Sequence, residues 1–166
     1  MARINSDLGT ILLAVITRLV AQSLFTAECC YLSVEGADDE NVAPSSGEFV
    51  CTVSPLAGNI GQEYLDGGGA QQATDFFEFV ISVYATSQLD EFGHDTVFLT
   101  DATLGLLTKL RLVLKAITAL DLVDGSANNV LRDPILPQGY RFKRASRGLG
   151  KFSLTCRVAF DWDLST

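Results

Sequence analysis

The sequence predicts an α+β fold, with two principal helices packed on one face of a mainly antiparallel four- to five-stranded sheet. Three observations lead to this prediction. The chain alternates apolar and polar residues from Lys151 to Leu164, and it carries an apolar stripe at helical spacing between Leu104 and Leu120. Its elements follow the order helix, three strands, helix, and then one or two strands. At 166 residues, a single domain covering 1–166 is expected.

The first helix is predicted from Asp7 to Leu24. Apolar residues recur there every three or four positions, and Ser6 or Asp7 can cap the first free N–H groups. Arg18 interrupts the apolar run, which is also too short to span a bilayer. An amphipathic core helix is therefore preferred over a signal peptide, and no membrane association is predicted.

Three strands are predicted between the two helices. The first covers 30–34, the second covers 48–54 and ends at Pro55, and the third covers 75–86. A Gly-rich excursion at 55–74 joins the second strand to the third. Loops of that length usually carry a function or are mobile, so a docking element and a flexible hairpin tip are both kept as interpretations.

The second helix is the clearest element of the sequence. Thr100 or Asp101 can cap its start, its leucine-rich stripe is continuous, and Arg111 and Lys115 lie opposite the stripe. A basic segment at 139–150 then leads into the last strand. Alternation along that strand predicts one dry face and one wet face.

The composition excludes some classes of function. The formal net charge is −8, which argues against gripping nucleic acid through its phosphates. The four cysteines are scattered and only one histidine is present, which fits neither a zinc site nor a disulfide-rich secreted domain. Buried free thiols are favoured, with a disulfide between strands as the alternative.

Enzyme motifs are mostly absent. Gly148 to Lys151 superficially resembles a phosphate loop, but it opens a strand instead of a helix. His94 lacks a matching nucleophile motif. Asp161 and Asp163 could act as paired carboxylates, yet solvated or subunit-contacting side chains explain them better. We therefore predict that the chain is not an enzyme and uses no cofactor or metal.

The basic segment is the one concentration of positive charge in an acidic chain. It contains Arg141, Lys143, Arg144 and Arg147. A solvated hairpin is one interpretation of these residues. A patch that docks on an acidic neighbour, such as the next copy of the same chain, is the other, because charge asymmetry suits head-to-tail contacts.

The order of elements resembles the tail terminator proteins of tailed bacteriophages and related phage-like particles. The resemblance covers nearly the whole chain at the level of pattern. Five elements carry it: the amphipathic N-terminal helix, strand Glu48–Ser54 with its long excursion, strand Phe77–Thr86, helix Leu104–Leu120 and the last strand, Phe152–Leu164.

This resemblance implies a structural virion protein of the tail or neck, assembled in the host cytoplasm. Such proteins form a homohexameric ring at the head-proximal end of the tail tube, stop its polymerisation and join the neck or head-tail connector. The lumen lets DNA pass without specific binding, which the acidic charge fits. In a contractile tail the sheath protein is a further partner.

The resemblance also suggests which residues dock. The interface with a neighbouring subunit or partner is expected at Arg141, Lys143, Arg144, Arg147, Arg157, Asp161 and Asp163. The loop that docks on the tube is expected to include Asn59, Tyr64, Leu65 and Asp66. Two alternatives stay open: another ring-forming neck or head-completion protein, and a cytosolic α+β domain that binds a ligand between the second helix and the sheet.

Overall fold

A computed structural model describes residues 8–33, 42, 44, 48–61, 72–86, 105–118, 122–123, 134–145 and 148–163. Two helices and five strands form the architecture. They are α1 (Leu8–Ala21), β1 (Cys30–Leu32), β2 (Phe49–Gly61), β3 (Gln72–Thr86), α2 (Leu106–Ile117), β4 (Leu136–Ala145) and β5 (Leu149–Asp163), with a short 3-10 helix at Ala27–Cys29 before β1. The predicted α+β class is confirmed.

The strands form one sheet in the order β1-β2-β3-β5-β4. Only β1 and β2 are parallel, and the other pairs are antiparallel. The last strand of the chain therefore lies inside the sheet, between β3 and β4. It pairs with β3 over the full length of both strands, from Gln72 opposite Asp163 to Thr86 opposite Leu149.

Both helices pack on the same face of the sheet, as predicted. The alternation of β3 and β5 places large apolar side chains on that face, where α1 and α2 cover them. The buried residues at the centre of this core are Ile11, Val15 and Leu19 of α1, Leu110, Val113 and Ile117 of α2, Phe79 and Ile81 of β3, and Phe152 and Leu154 of β5.

The opposite face of the sheet is not simply wet, which corrects the prediction for the last strand. Lys151 is only 2% exposed and Ser82 is equally buried. Val42, Tyr84 and Leu149 form a second, smaller apolar cluster on this face. Polar alternation marks which face a residue is on, but it does not show whether another segment covers that face.

Strand β2 does not end at Pro55. It continues to Gly61, and its pairing with β3 shifts register between Pro55 and Ala57. A bulge accommodates proline because it interrupts the ladder of hydrogen bonds at that point. The start of the predicted Gly-rich excursion is thus strand, and residues 62–71 lie outside the described part of the chain.

The helix ends also differ from the predicted ones. α1 ends at Ala21, three residues early, and Ser23 then has a positive φ of 56°. Gly105 is the N-cap of α2, without a capping side chain, so the predicted caps at Thr100 and Asp101 are wrong. The helix starts where its buried stripe starts, at Leu106. Residues 100 and 101 lie outside the described chain.

No helix among the described residues is long and apolar enough to cross a membrane. The four cysteines are free thiols, and three of them, Cys30, Cys51 and Cys156, are buried. Burial raises the pKa of Cys156 to about 12, so this thiol stays neutral at ordinary pH.

Candidate assembly surface

A shallow basic depression lies on the face of the sheet opposite the helices, where β4 pairs with β5. Its volume is about 440 Å³. On β5 alternate residues line it, because successive strand side chains point to opposite faces. The lining residues are Gly139, Tyr140, Arg141, Lys143, Lys151, Ser153 and Thr155. We call this surface the basic depression.

The strand register concentrates positive charge in the basic depression. Lys143 lies directly opposite Lys151, and Arg141 lies opposite Ser153. Two cations at directly opposed positions repel each other and raise the local positive potential. Such a surface favours an acidic group from another molecule.

Lys151 is held from below by an aromatic ring. Its Nζ lies 4.9 Å from the centroid of the Tyr84 ring, a distance at which the ring face attracts a cation. Next along the same face, the hydroxyls of Ser82 and Ser153 are hydrogen-bonded at 3.1 Å. These contacts fix the floor of the depression, so its charges stand on a rigid element.

The structure brings together part of the predicted basic cluster. Arg141 and Lys143 are exposed on β4, and Arg144 is in the same strand. Arg147 lies outside the described residues. Lys151 is a further member of the cluster that the sequence does not indicate, because alternation assigns it only to the polar face of the last strand. Its position opposite Lys143 depends on the pairing of β4 with β5, which the sequence does not specify.

Arg157, Asp161 and Asp163 do not lie in the basic depression. Arg157 is opposite Leu136 and Glu78, six residues along β5 from Lys151, which is about 20 Å. Asp161 and Asp163 are in the last residues of β5, opposite Thr74 and Gln72. The predicted interface set is therefore spread from β4 along the length of β5 and does not form one cluster.

Of the predicted tube-docking residues, Asn59 is the one in a described segment. It is in β2, opposite Phe76 of β3. Tyr64, Leu65 and Asp66 belong to a segment outside the described residues. Their role as a docking loop stays a prediction.

A second depression, of about 360 Å³, lies near the end of α1 on the helix side. The Lys109 side chain from α2 closes the core beside it. Its Nζ donates a hydrogen bond of 2.6 Å to the carbonyl oxygen of Leu24. The same Nζ lies 5.0 Å and 4.7 Å from the ring centroids of Phe25 and Phe49. Lys109 thus ties the end of α1 and the start of β2 to α2.

The buried thiol of Cys51 lies close to Lys109. Cys30 of β1 is opposite Cys51 of β2. The neighbouring Cys51 side chain lowers the pKa of Cys30, whereas burial raises the pKa of Cys51 well above its usual value. Burial lowers the pKa of Lys109, and the nearby Cys51 opposes that shift. This cluster has the character of a core contact.

Catalytic or metal-binding geometry is not apparent in the described residues. Within those segments, no group of three or more histidine, cysteine or acidic side chains could hold a metal ion. The two depressions described above are open and shallow. The chemistry that the basic depression supports is recognition of an acidic surface.

Comparison with known proteins identifies the fold. No family model matches the chain, and no curated protein matches it. Among solved structures, it is similar to a chain of the structure described as "Virion of native gene transfer agent (GTA) particle", with a TM-score of 0.53 and 19% sequence identity. The match covers 95% of this chain and 99% of that chain. The chain therefore shares the fold of a subunit seen in that particle, over essentially the full length of both.

Proposed function

We propose that this chain is a structural virion protein, a tail terminator that forms a ring on the end of the tail tube. The ring stops tube polymerisation, presents the surface that joins the neck, and leaves a lumen through which DNA passes. The observation that carries this proposal is the end-to-end likeness to a chain of a gene transfer agent virion. The element order that resembles tail terminators supports it independently.

Each partner of the ring meets a different part of the chain. Other copies of the chain, six in a closed ring, meet the basic depression. The tail tube meets the loop that contains Tyr64, Leu65 and Asp66, beyond the ends of β2 and β3. A neck or connector protein meets the ring from the head side, and a sheath protein contacts it if the tail is contractile. The ring is part of the virion and assembles in the host cytoplasm.

Another neck or head-completion ring protein is the alternative, since a virion contains several small subunits. A cytosolic ligand-binding domain has less support. Its ligand would lie between α2 and the sheet, but in the described residues that space is filled by Leu110, Val113 and Ile117 packed into the core. Such packing leaves little room for a ligand of ordinary size.

Tail length tests the proposal. The double variant Tyr64→Ser/Leu65→Ser removes the apolar side chains with which the loop would dock on the tube, and it leaves the paired strands intact. We expect particles assembled with this variant to carry overlong tails in electron micrographs, because uncapped tubes continue to polymerise. The matched control is Leu107→Ser, which removes an exposed leucine from α2 and should leave tail length normal.

The outcome separates the candidates. Tails of normal length on particles that have lost their heads would overturn the terminator role in favour of a neck protein. Normal particles with the variant incorporated would contradict the docking role of the loop. Circular dichroism of the purified variant shows whether it folds like the parent chain, so that misfolding is not mistaken for loss of capping.

A further inference from the structure

Basic and acidic residues are concentrated at opposite ends of the long strand β5. Between Arg141 and Lys151 the sequence has five basic residues and no acidic one. The far ends of β3 and β5 contain Asp75, Asp161 and Asp163 and no basic residue. Asp161 is ten residues from Lys151, about 33 Å along β5.

Strand β4, which lines the basic depression, has features that prevent another strand from pairing with its open edge. β4 is at one edge of the described sheet. Pro137 has no N–H to donate, and the pairing of β4 shifts register between Pro137 and Gly139. Proline, a bulge and charged side chains are the usual means of preventing edge-to-edge pairing. A partner is therefore expected to contact the side chains of this face instead of extending the sheet.

We propose that copies of this chain join head to tail, with the acidic far end of β5 in one copy seated on the basic depression of the next. The inference rests on the proposed ring and adds the chemistry of its contact. Every copy carries both surfaces, so each contact leaves one unmatched surface at either end until the ring closes.

Charge complementarity favours a second copy over nucleic acid as the occupant. The net charge of −8 repels nucleic acid and a second copy alike at long range, but a second copy also carries basic residues that can meet acidic ones, whereas nucleic acid brings negative charge alone. The acidic residues that match the depression in charge, Asp161 and Asp163, belong to the same strand of an identical molecule. Association through such surfaces is screened by salt, because exposed charges are screened within about 10 Å.

The test uses charge reversal on the purified full chain. Lys143→Glu reverses an exposed residue of the basic depression, and Asp161→Lys reverses the acidic end. Each variant alone is expected to associate about tenfold more weakly than the parent chain in analytical ultracentrifugation, a change of about 1.4 kcal/mol. Lys115→Glu, an exposed site on α2, is the control and should leave association unchanged.

An equal mixture of the two variants is the decisive measurement. In a head-to-tail contact, the depression made acidic by Lys143→Glu matches the strand end made basic by Asp161→Lys, while the native surfaces of the two variants match in the next contact. Alternating copies can therefore rebuild an even-numbered ring with the affinity of the parent chain, whereas each variant alone associates more weakly. Asp163→Lys replaces Asp161→Lys if circular dichroism shows that the latter does not fold.

Three results would overturn the inference. The first is a parent chain that stays monomeric, and the second is association that ignores salt and both reversals. The third is a Lys143→Glu variant that loses retention on duplex DNA while Asp161→Lys leaves self-association unchanged, which would assign the depression to a polyanion. Capping is scored separately by tail length, so a ring that forms through other surfaces contradicts this contact and leaves the terminator role standing.

Discussion

The two faces of the sheet are both largely buried at its centre, but different chemistry holds them. On the helix side, Phe79 and Phe152 are part of a continuous apolar core. On the other side, Ser82 is hydrogen-bonded to Ser153, and Lys151 lies over the ring of Tyr84. The helix side is stabilised by apolar area removed from water, whereas the other side depends on directional contacts between polar groups.

The difference suggests separate roles for the two faces. The apolar side chains of the helix-side core are buried, so they specify the fold and offer no surface to a partner. A rigid polar face beside the basic depression can hold charges in fixed positions, and fixed charges give an assembly contact its orientation. Three sets of substitutions test this comparison, from the largest expected effect to the smallest.

Two neighbouring residues of β3 lie on opposite faces of the sheet, so substitutions at these positions compare the two faces. Phe79 is 0% exposed on the helix side, and Val80 is 2% exposed on the other. Phe79→Ala should lower the free energy of unfolding by about 3–5 kcal/mol, because it leaves a cavity in the core. Val80→Ala removes two carbon groups and should cost about 1.5 kcal/mol. Urea denaturation measures both, and equal losses would break the distinction between the faces.

Lys109 is the polar exception on the helix side, and its loss should cost less than the loss of Phe79. Lys109→Met keeps the length of the side chain but removes the donor to the Leu24 carbonyl oxygen and the cation beside two aromatic rings. We expect a loss of about 2 kcal/mol in the free energy of unfolding, measured by urea denaturation.

Lys115→Met on the exposed side of α2 is the control for that substitution and should change stability by no more than about 0.5 kcal/mol. If both variants unfold at the same urea concentration, Lys109 is not a structural tie, and the core beside α1 is held by apolar packing alone.

How much the sequence predicts differs between the two faces. Helical spacing in α2 and alternation in β5 predict the helix-side core, because a helix or strand with one buried face repeats apolar residues at a regular interval in the sequence. The same alternation assigns Lys151 to a wet face, which is wrong. Its burial depends on Tyr84, which is 67 positions earlier in the chain and is brought opposite Lys151 by the pairing of β3 with β5.

The candidate site shows the same limit. Arg141 and Lys143 are close members of a basic run, and the sequence predicts them together. Lys151 joins them because the β4–β5 hairpin sets its register. Arg157 and Asp161 share the polar side of the last strand in sequence, yet the length of β5 separates them from the depression. Local composition finds charge clusters, but strand register decides which charges meet.

The smallest effect tests the directional contacts of the polar face. Ser82→Ala, Ser153→Ala and the double variant form a double-mutant cycle across the 3.1 Å hydrogen bond between the two hydroxyls. We expect a coupling energy of about 1 kcal/mol in urea denaturation, since each single variant leaves a hydroxyl without this partner. Ser54→Ala, at a buried position two strands from Ser153 and opposite Val80, combined with Ser153→Ala, gives the control and should be additive. A Ser82–Ser153 coupling energy no larger than that of the control would mean that the hydrogen bond between the two hydroxyls does not stabilise this face. The charges of the basic depression would then lack the rigid support that a head-to-tail contact needs.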